Sequence, residues 1–559
     1  MIVSADIEIV ARDGVVLRGD IARPDGERPV PVLLQRSPYG AQRRPVSILL
    51  GLEWGPETSL VMAVGGSGLS LDSVVDAGFA VVVVDCRGTN RSDGTFQWMA
   101  TEAEDGVDVV AWLKAQPWCD GTVHGFGGSY VSATQVVTAL TEPESLASMS
   151  PWIALSRPDT DMVSRGGIPM YATTYNWAAN RVNDARAKAG LPPREDVPLA
   201  EGIDPAPLLS EHTLAGLGAR MADAPQGEHV ATWLEHPTYD MYWRSVAYDE
   251  EALASLDVPG FHLGGWYDLF LGGTIRNFVA MRRGPARDDQ HLVLGPWTHL
   301  DQMRRFTDAH DFGPGSTLAG GGIADAQLAF WNQHGHGVAA EIPAVRLFVM
   351  GVDEWRDYAE WPPLDTSETS LYLGDEVLTL DPEGCAGSTT VTHDPARPVP
   401  TVGGQILYGP PDFAGPHDQR PAEAHASVAS FTTAPFEETF EVVGPVTLRV
   451  WVETDQTDAD LHAVLTDVAP DGTSRILTDG ALRLSRRDGL DRIVPCIPGE
   501  PVEVEVDLWA TANAFLPGHR LRLNLAGSSF PKYVLSEGPY TLRILHDAAH
   551  PSRLVLPRS

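Results

Sequence analysis

Hydrophobic and polar positions along the chain fall into three textures. Near the start, Ile7, Ile9 and Val10 lead to Asp13-Gly14 and then Val15, Val16 and Leu17, the pattern of a hairpin closed by a tight turn. Apolar runs follow at residues 30–34, 79–84 and 123–126, as in strands buried on both faces. Between the last two, Val107, Val110, Ala111 and Leu113 recur at helical spacing until Pro117 ends the pattern. Strands alternating with helices predict a doubly wound parallel sheet, the α/β class, over residues 1–147.

Residues 148–238 contain no run that reads as a strand. Helical patterns at 171–187, 208–221 and 229–235, broken by Pro and Gly, predict a helical insertion. Sheet texture returns over 239–352, with Gly260 to Leu263 and His291 to Leu294. An insertion between middle strands covers their C-terminal ends, where α/β sheets bind ligands, so it is expected to act as a cap. From 353 to 559 the period becomes two. Val446, Leu448, Val450 and Val452 alternate with polar or larger residues, as do Val502, Val504, Val506 and Leu508, and again Leu521, Leu523 and Leu525. Many short alternating strands predict a jelly-roll β-sandwich.

Composition narrows the function. The 559 residues carry 75 Asp and Glu against 40 Lys and Arg, a formal charge of −35. Such a surface repels phosphate backbones and anionic lipid, so neither nucleic acid nor a membrane is an expected partner. The first residues lack the basic and apolar regions of a signal peptide, and no apolar run approaches the ~20 residues of a membrane span. Cys86, Cys119, Cys385 and Cys496 form no CxxC pair and read as reduced thiols of a cytoplasmic protein. His334 and His336 lack further ligands at metal-binding spacing, and no phosphate-binding or dinucleotide fingerprint follows a strand. No cofactor and no metal are expected. A sandwich edge or the cap would each support a homodimer, and the sequence does not choose.

The sharpest chemical signal is Gly125-Phe126-Gly127-Gly128-Ser129-Tyr130. A strand ends at Phe126, a glycine-rich turn follows, and residues 130–140 read as a helix. A nucleophile elbow requires this context, because the turn projects the serine oxygen from the sheet while the next N–H opens the helix. A serine before a helix is also a routine N-cap, so the motif alone does not decide. Asp268 falls just past the strand that begins at Gly260, and His299 just past the one that begins at His291. The order Ser129, Asp268, His299 is that of an α/β-hydrolase triad. In that reading His299 is the general base, Asp268 orients it, and the Tyr130 N–H is one oxyanion donor. The second donor would come from residues 36–40, where Tyr39 could offer its hydroxyl or its N–H, or simply pack.

The segments RSPYG at 36–40, DCRGTNRSDGTF at 85–96, WCDGTVHGFGGSY at 118–130, GGWYDLF at 264–270, VLGPWTHL at 293–300 and FLPGHRLRLNL at 515–525 resemble the cocaine esterase-like (CocE/NonD) family of serine hydrolases. That family includes X-Pro dipeptidyl peptidases and α-amino-acid ester hydrolases. The elbow of the family ends in Gly, where this chain has Ser132. The resemblance implies an α/β-hydrolase domain, a helical cap and a C-terminal jelly roll, and it implies that the Tyr39 hydroxyl is the oxyanion donor. It also implies that Trp177, Phe270, Leu407 and Tyr408 line the acyl pocket. The expected activity is hydrolysis of a small-molecule carboxylic ester through an acyl-enzyme. An amide or peptide hydrolase, of X-Pro dipeptidyl peptidase or β-lactam acylase type, is the alternative. Releasing dipeptides would need carboxylates for a free amino terminus, and Asp159, Asp161 and Asp184 are the candidates.

Overall fold

The computed structural model describes residues 1–39, 56–192, 228–300, 306–307, 310–407 and 413–558. The predicted helix at 208–221, and Tyr408, lie outside them. Ten strands form the main sheet: β1 (Ile2–Val10), β2 (Val16–Arg23), β3 (Val30–Ser37), β4 (Ala80–Asp85), β5 (Cys119–Ser129), β6 (Ser148–Ala154), β7 (Gly260–Tyr267), β8 (Gln290–Thr298), β9 (Val345–Val349) and β10 (Glu354–Tyr358). Their order is β1-β2-β4-β3-β5-β6-β7-β8-β9-β10. Strands β3 to β9 pair in parallel, while β1, β2 and β10 are antiparallel additions at the two edges.

The uninterrupted valines of β4 have a simple cause. Val82 and Val84 pack into the layer of α2 (Glu102–Lys114) and α3 (Tyr130–Thr141), whereas Val81 and Val83 pack into the layer of α1 (Pro56–Gly65) and the helix Ile323–His336. With helices on both faces, neither side of the strand is polar.

Two boundaries differ from the sequence reading. Residues 148–154 are a central strand, paired with β5 and β7, so the inserted segment begins only after Ala154. The strand is hard to read because two of its positions carry serine. Ser148 Oγ bonds the ring of buried His124 at 2.9 Å, and Ser150 Oγ accepts from the Trp331 indole at 2.9 Å. At the other end the main sheet runs past 352 through β10 (EWRDY), an edge strand with Glu354 and Asp357 exposed and Trp355 and Tyr358 partly buried against the core.

Between β6 and β7 the chain forms α4 (Tyr171–Lys188), α5 (Glu228–Glu235) and α6 (Met241–Val246), with α7 (Leu271–Met281) following β7. The C-terminal part holds β11 (Ser367–Leu373), β12 (Leu378–Thr379), β13 (Ser388–His393), β14 (Val428–Thr432), β15 (Phe440–Thr454), β16 (Asp460–Val468), β17 (Ser474–Arg483), β18 (Val502–Phe515), β19 (Arg520–Ala526), β20 (Tyr540–Leu545) and β21 (Arg553–Arg558). One sheet runs β12-β11-β21-β15-β20-β13 with β18 also on β15, and the second runs β14-β19-β16-β17. All the pairings of both sheets are antiparallel. The alternating residues Leu448, Val450, Leu521, Leu523 and Leu525 meet in one core, which also takes in Leu294 of β8 and Leu347 of β9. The β-sandwich is thus built onto the edge of the main sheet. Among the described residues no helix is long and apolar enough to cross a membrane.

Candidate active site

Ser129 closes β5 and precedes α3 with φ 61° and ψ −131°, a conformation that costs a non-glycine residue of order 1–3 kcal/mol. Small neighbours make it attainable. Gly127 has φ +120°, and a Cβ there would stand 2.6 Å from both Gln35 Nε2 and Val131 Cγ1. Ser132, at the place where the resembling family has glycine, is fully buried, and its hydroxyl donates to the Ser129 carbonyl at 2.6 Å. The larger residue fits by making a bond inside the first turn of α3.

The structure brings Ser129, His299 and Asp268 together. His299 follows β8, and its Nε2 lies 3.1 Å from Ser129 Oγ while its Nδ1 lies 2.7 Å from Asp268 Oδ2. Asp268 follows β7 and is fully buried. Its other oxygen, Oδ1, accepts the Phe270 N–H at 2.6 Å. The Phe270 ring meets the imidazole edge-on at 5.2 Å between centroids. The Asp268 turn is braced further out: the Gln405 amide donates to the Trp266 carbonyl at 2.9 Å, and the Trp266 indole donates to the Phe348 carbonyl at 2.8 Å.

Tyr130 and Tyr39 have opposite orientations relative to the serine. The Tyr130 hydroxyl points into the core, donating to Glu102 at 3.0 Å and accepting the Met99 N–H at 3.1 Å. Burial and the Glu102 carboxylate hold that phenol well above its usual pKa. The backbone N–H of Tyr130 is at the first position of α3, where the helix supplies no acceptor. For Tyr39 the backbone N–H is taken by Ser37 Oγ at 3.2 Å, and the side chain lines the same cavity as Ser129.

That cavity has a volume of about 430 Å³. Trp177 from α4, Phe270 from the turn after β7 and Leu407 from the C-terminal part all line it, so three regions of the chain contribute walls. Sequence reasoning missed Thr173, Asn180, Met162 and Met62, which line it too. Thr173, Trp177 and Asn180 lie at i, i+4 and i+7, and that spacing was the available signal once Trp177 was singled out. Gln405 carried no local signal, since only the fold brings it to Trp266. No Asp, Glu, Lys or Arg lines the cavity among the described residues. Asp159 pairs with Arg157 at 2.6 Å, Asp161 with Arg276 at 3.2 Å, and Asp184 with Arg181. None of the three reaches the cavity. The four cysteines are free thiols, and no group of metal-binding side chains occurs among the described residues.

A parallel sheet that presents a serine at a strained strand-to-helix turn, with a histidine and a carboxylate in line behind it, defines an α/β hydrolase. The chain belongs to the X-Pro dipeptidyl-peptidase (S15) family, which matches residues 13–301, and the C-terminal non-catalytic domain of X-Pro dipeptidyl-peptidase matches residues 336–555. Over 597 aligned positions it is 33% identical to cocaine esterase of Rhodococcus sp. (strain MB1 Bresler), covering 99% of this chain and 98% of that protein. The fold is shared with an aminopeptidase from the marine sediment archaeon Thaumarchaeota archaeon, at TM-score 0.85 and 24% identity over 99% of this chain and 96% of that one. It is shared equally with an α-amino acid ester hydrolase, at TM-score 0.84 and 23% identity over 100% and 96%. The protein is therefore a serine hydrolase of esterase-like kind.

Proposed function

We propose that the protein hydrolyses uncharged small-molecule carboxylic esters through an acyl-enzyme on Ser129, within a unit capped by the segment between β6 and β7. The observation that carries this reading is the hydrogen-bonded line Asp268–His299–Ser129, whose serine and histidine line a largely apolar cavity. A serine hydroxyl is a weak nucleophile until a base takes its proton. His299 Nε2 is placed to take it as Oγ attacks the ester carbonyl, while Asp268 accepts from Nδ1–H, fixes the tautomer and stabilises the imidazolium. The tetrahedral oxyanion is met by the Tyr130 N–H and the Tyr39 hydroxyl. The Tyr39 N–H, already bonded to Ser37, is not the donor. His299 then returns the proton to the leaving alcohol, and water repeats the sequence on the acyl-enzyme.

The alternative, cleavage behind a free amino terminus, is disfavoured by the cavity wall. A buried ammonium without a counter-charge costs several kcal/mol, and each candidate aspartate is held by an arginine away from the cavity. The test compares turnover of neutral p-nitrophenyl esters, α-amino esters and Xaa-Pro-nitroanilides, with Ser129→Ala as background. Neutral esters should be hydrolysed well above that background and the nitroanilides should not. Nitroanilide turnover equal to that of the esters would favour the peptidase reading.

A further inference from the structure

We infer that Arg181, on the cap helix α4, is the positioning residue that aims the Tyr39 hydroxyl, so that cap packing and oxyanion stabilisation are coupled through one side chain. The inference rests on the reading of Tyr39 given above.

Three observations converge on Arg181. First, both polar groups of the Pro38–Tyr39 peptide are held. Arg181 Nη1 donates to the Pro38 carbonyl at 2.6 Å, and the Tyr39 N–H of the same peptide donates to Ser37 Oγ at 3.2 Å. A peptide plane held at both ends fixes the Tyr39 N and Cα positions and leaves rotation about φ and the side-chain torsions to aim the ring. Second, the guanidinium carbon lies 5.1 Å from the centre of the Tyr39 ring, and the Tyr130 ring meets Tyr39 edge-on at 6.5 Å. The ring is thus confined by Arg181 and by the residue after the nucleophile. Third, the Arg181 side chain is 0% exposed and forms an ion pair with Asp184 one turn away. A buried cation with its own counter-ion is a fixed fork rather than a mobile surface group.

The same helix face carries the wall of the cavity. Trp177 lines it and lies one turn before Arg181, whose guanidinium carbon is 5.9 Å from its ring. A ligand that shifts Trp177 therefore acts on the helix that holds the Tyr39 peptide. Misplacing a reacting group by about 1 Å costs on the order of 10²-fold in rate, so a modest slip of this clamp should be visible in kcat.

A double-mutant cycle tests the inference with Arg181→Gln, Tyr39→Phe and the double variant, assayed on a neutral p-nitrophenyl ester with urea midpoints measured in parallel. In the otherwise unchanged protein, Arg181→Gln should lower kcat by about 10- to 100-fold with KM within about threefold. In the Tyr39→Phe background the same change should alter kcat by less than about twofold, because the hydroxyl it acts through is gone. Arg181→Lys, which keeps the charge but loses the fork, should fall between. If Arg181→Gln does not fold, the cycle is run with Arg181→Lys. Equal losses in both backgrounds would overturn the role of Arg181 while leaving Tyr39 as the donor. An unchanged kcat for Tyr39→Phe alone would remove the Tyr39 reading, and this inference with it.

Discussion

Beneath the Ser129 turn, Arg36 and Glu102 form an ion pair whose side chains are 2% and 1% exposed. Glu102 also accepts the Tyr130 hydroxyl, so the residue after Ser129 is tethered from below by a buried carboxylate. Removing one member of such a pair leaves the other charge uncompensated. Glu102→Gln should therefore cost about 3–5 kcal/mol of stability, read from the shift in urea midpoint. A loss below about 1 kcal/mol would mean that water reaches Arg36. At this scale the sequence was informative where chemistry and backbone coincide. Ser129, Asp268 and His299 each sit at the end of an apolar strand, and their order matched a known arrangement of catalytic residues. It was silent on Glu102 and Gln405. Their partners, Arg36 and Trp266, are distant in the chain, and nothing local marks a polar side chain as buried.

At the scale of elements, the turn between β5 and α3 is expected to be the least tolerant of substitution, and two glycines of β5 separate strain from crowding. Gly121 has φ +97° with nothing within 4 Å of an added Cβ, whereas Gly127 combines φ +120° with two contacts at 2.6 Å. Gly121→Ala should cost about 1–2 kcal/mol from backbone conformation alone. Gly127→Ala should cost a further 1–3 kcal/mol or so from overpacking, and should also lower kcat by displacing Ser129. Thermal melts of the two variants decide, and equal losses would contradict the crowding argument. Elements with uniform environments were legible. The valines of β4 are buried on both faces, and the period-two residues of β15, β18 and β19 are buried on one. β6 was not, since Ser148 and Ser150 serve buried partners that the sequence does not reveal. β10 was not, since this five-residue edge strand mixes charged residues with Trp355 and Tyr358 and shows no alternation.

Across the whole molecule, three buried imidazoles connect the folded state to pH. Burial lowers His124 from 6.5 to about 3, and His262 and His462 from 6.5 to about 4. These groups stay neutral in the folded protein at pH values where the unfolded chain binds protons. Their contribution is fully present above about pH 6.5 and is lost as pH falls towards 4. Between pH 4.5 and 6, unfolding should take up about three protons from these groups, so that unfolding free energies from urea titrations fall steeply with acid. Replacing one of them, as in His124→Gln, should reduce that slope by about one proton, and a slope near zero would contradict the assignment. The acidic composition gave no hint of this, because it reports the surface, whereas these histidines lie at sheet positions fixed by the fold.

The central claim is that Ser129 is an activated nucleophile. Its most direct test is incubation of the folded protein with a fluorophosphonate probe, followed by peptide mass spectrometry. The account predicts one adduct, on Ser129, that disappears in the His299→Ala variant. Folded protein that remains unlabelled, or that carries its adduct on another serine, would contradict it.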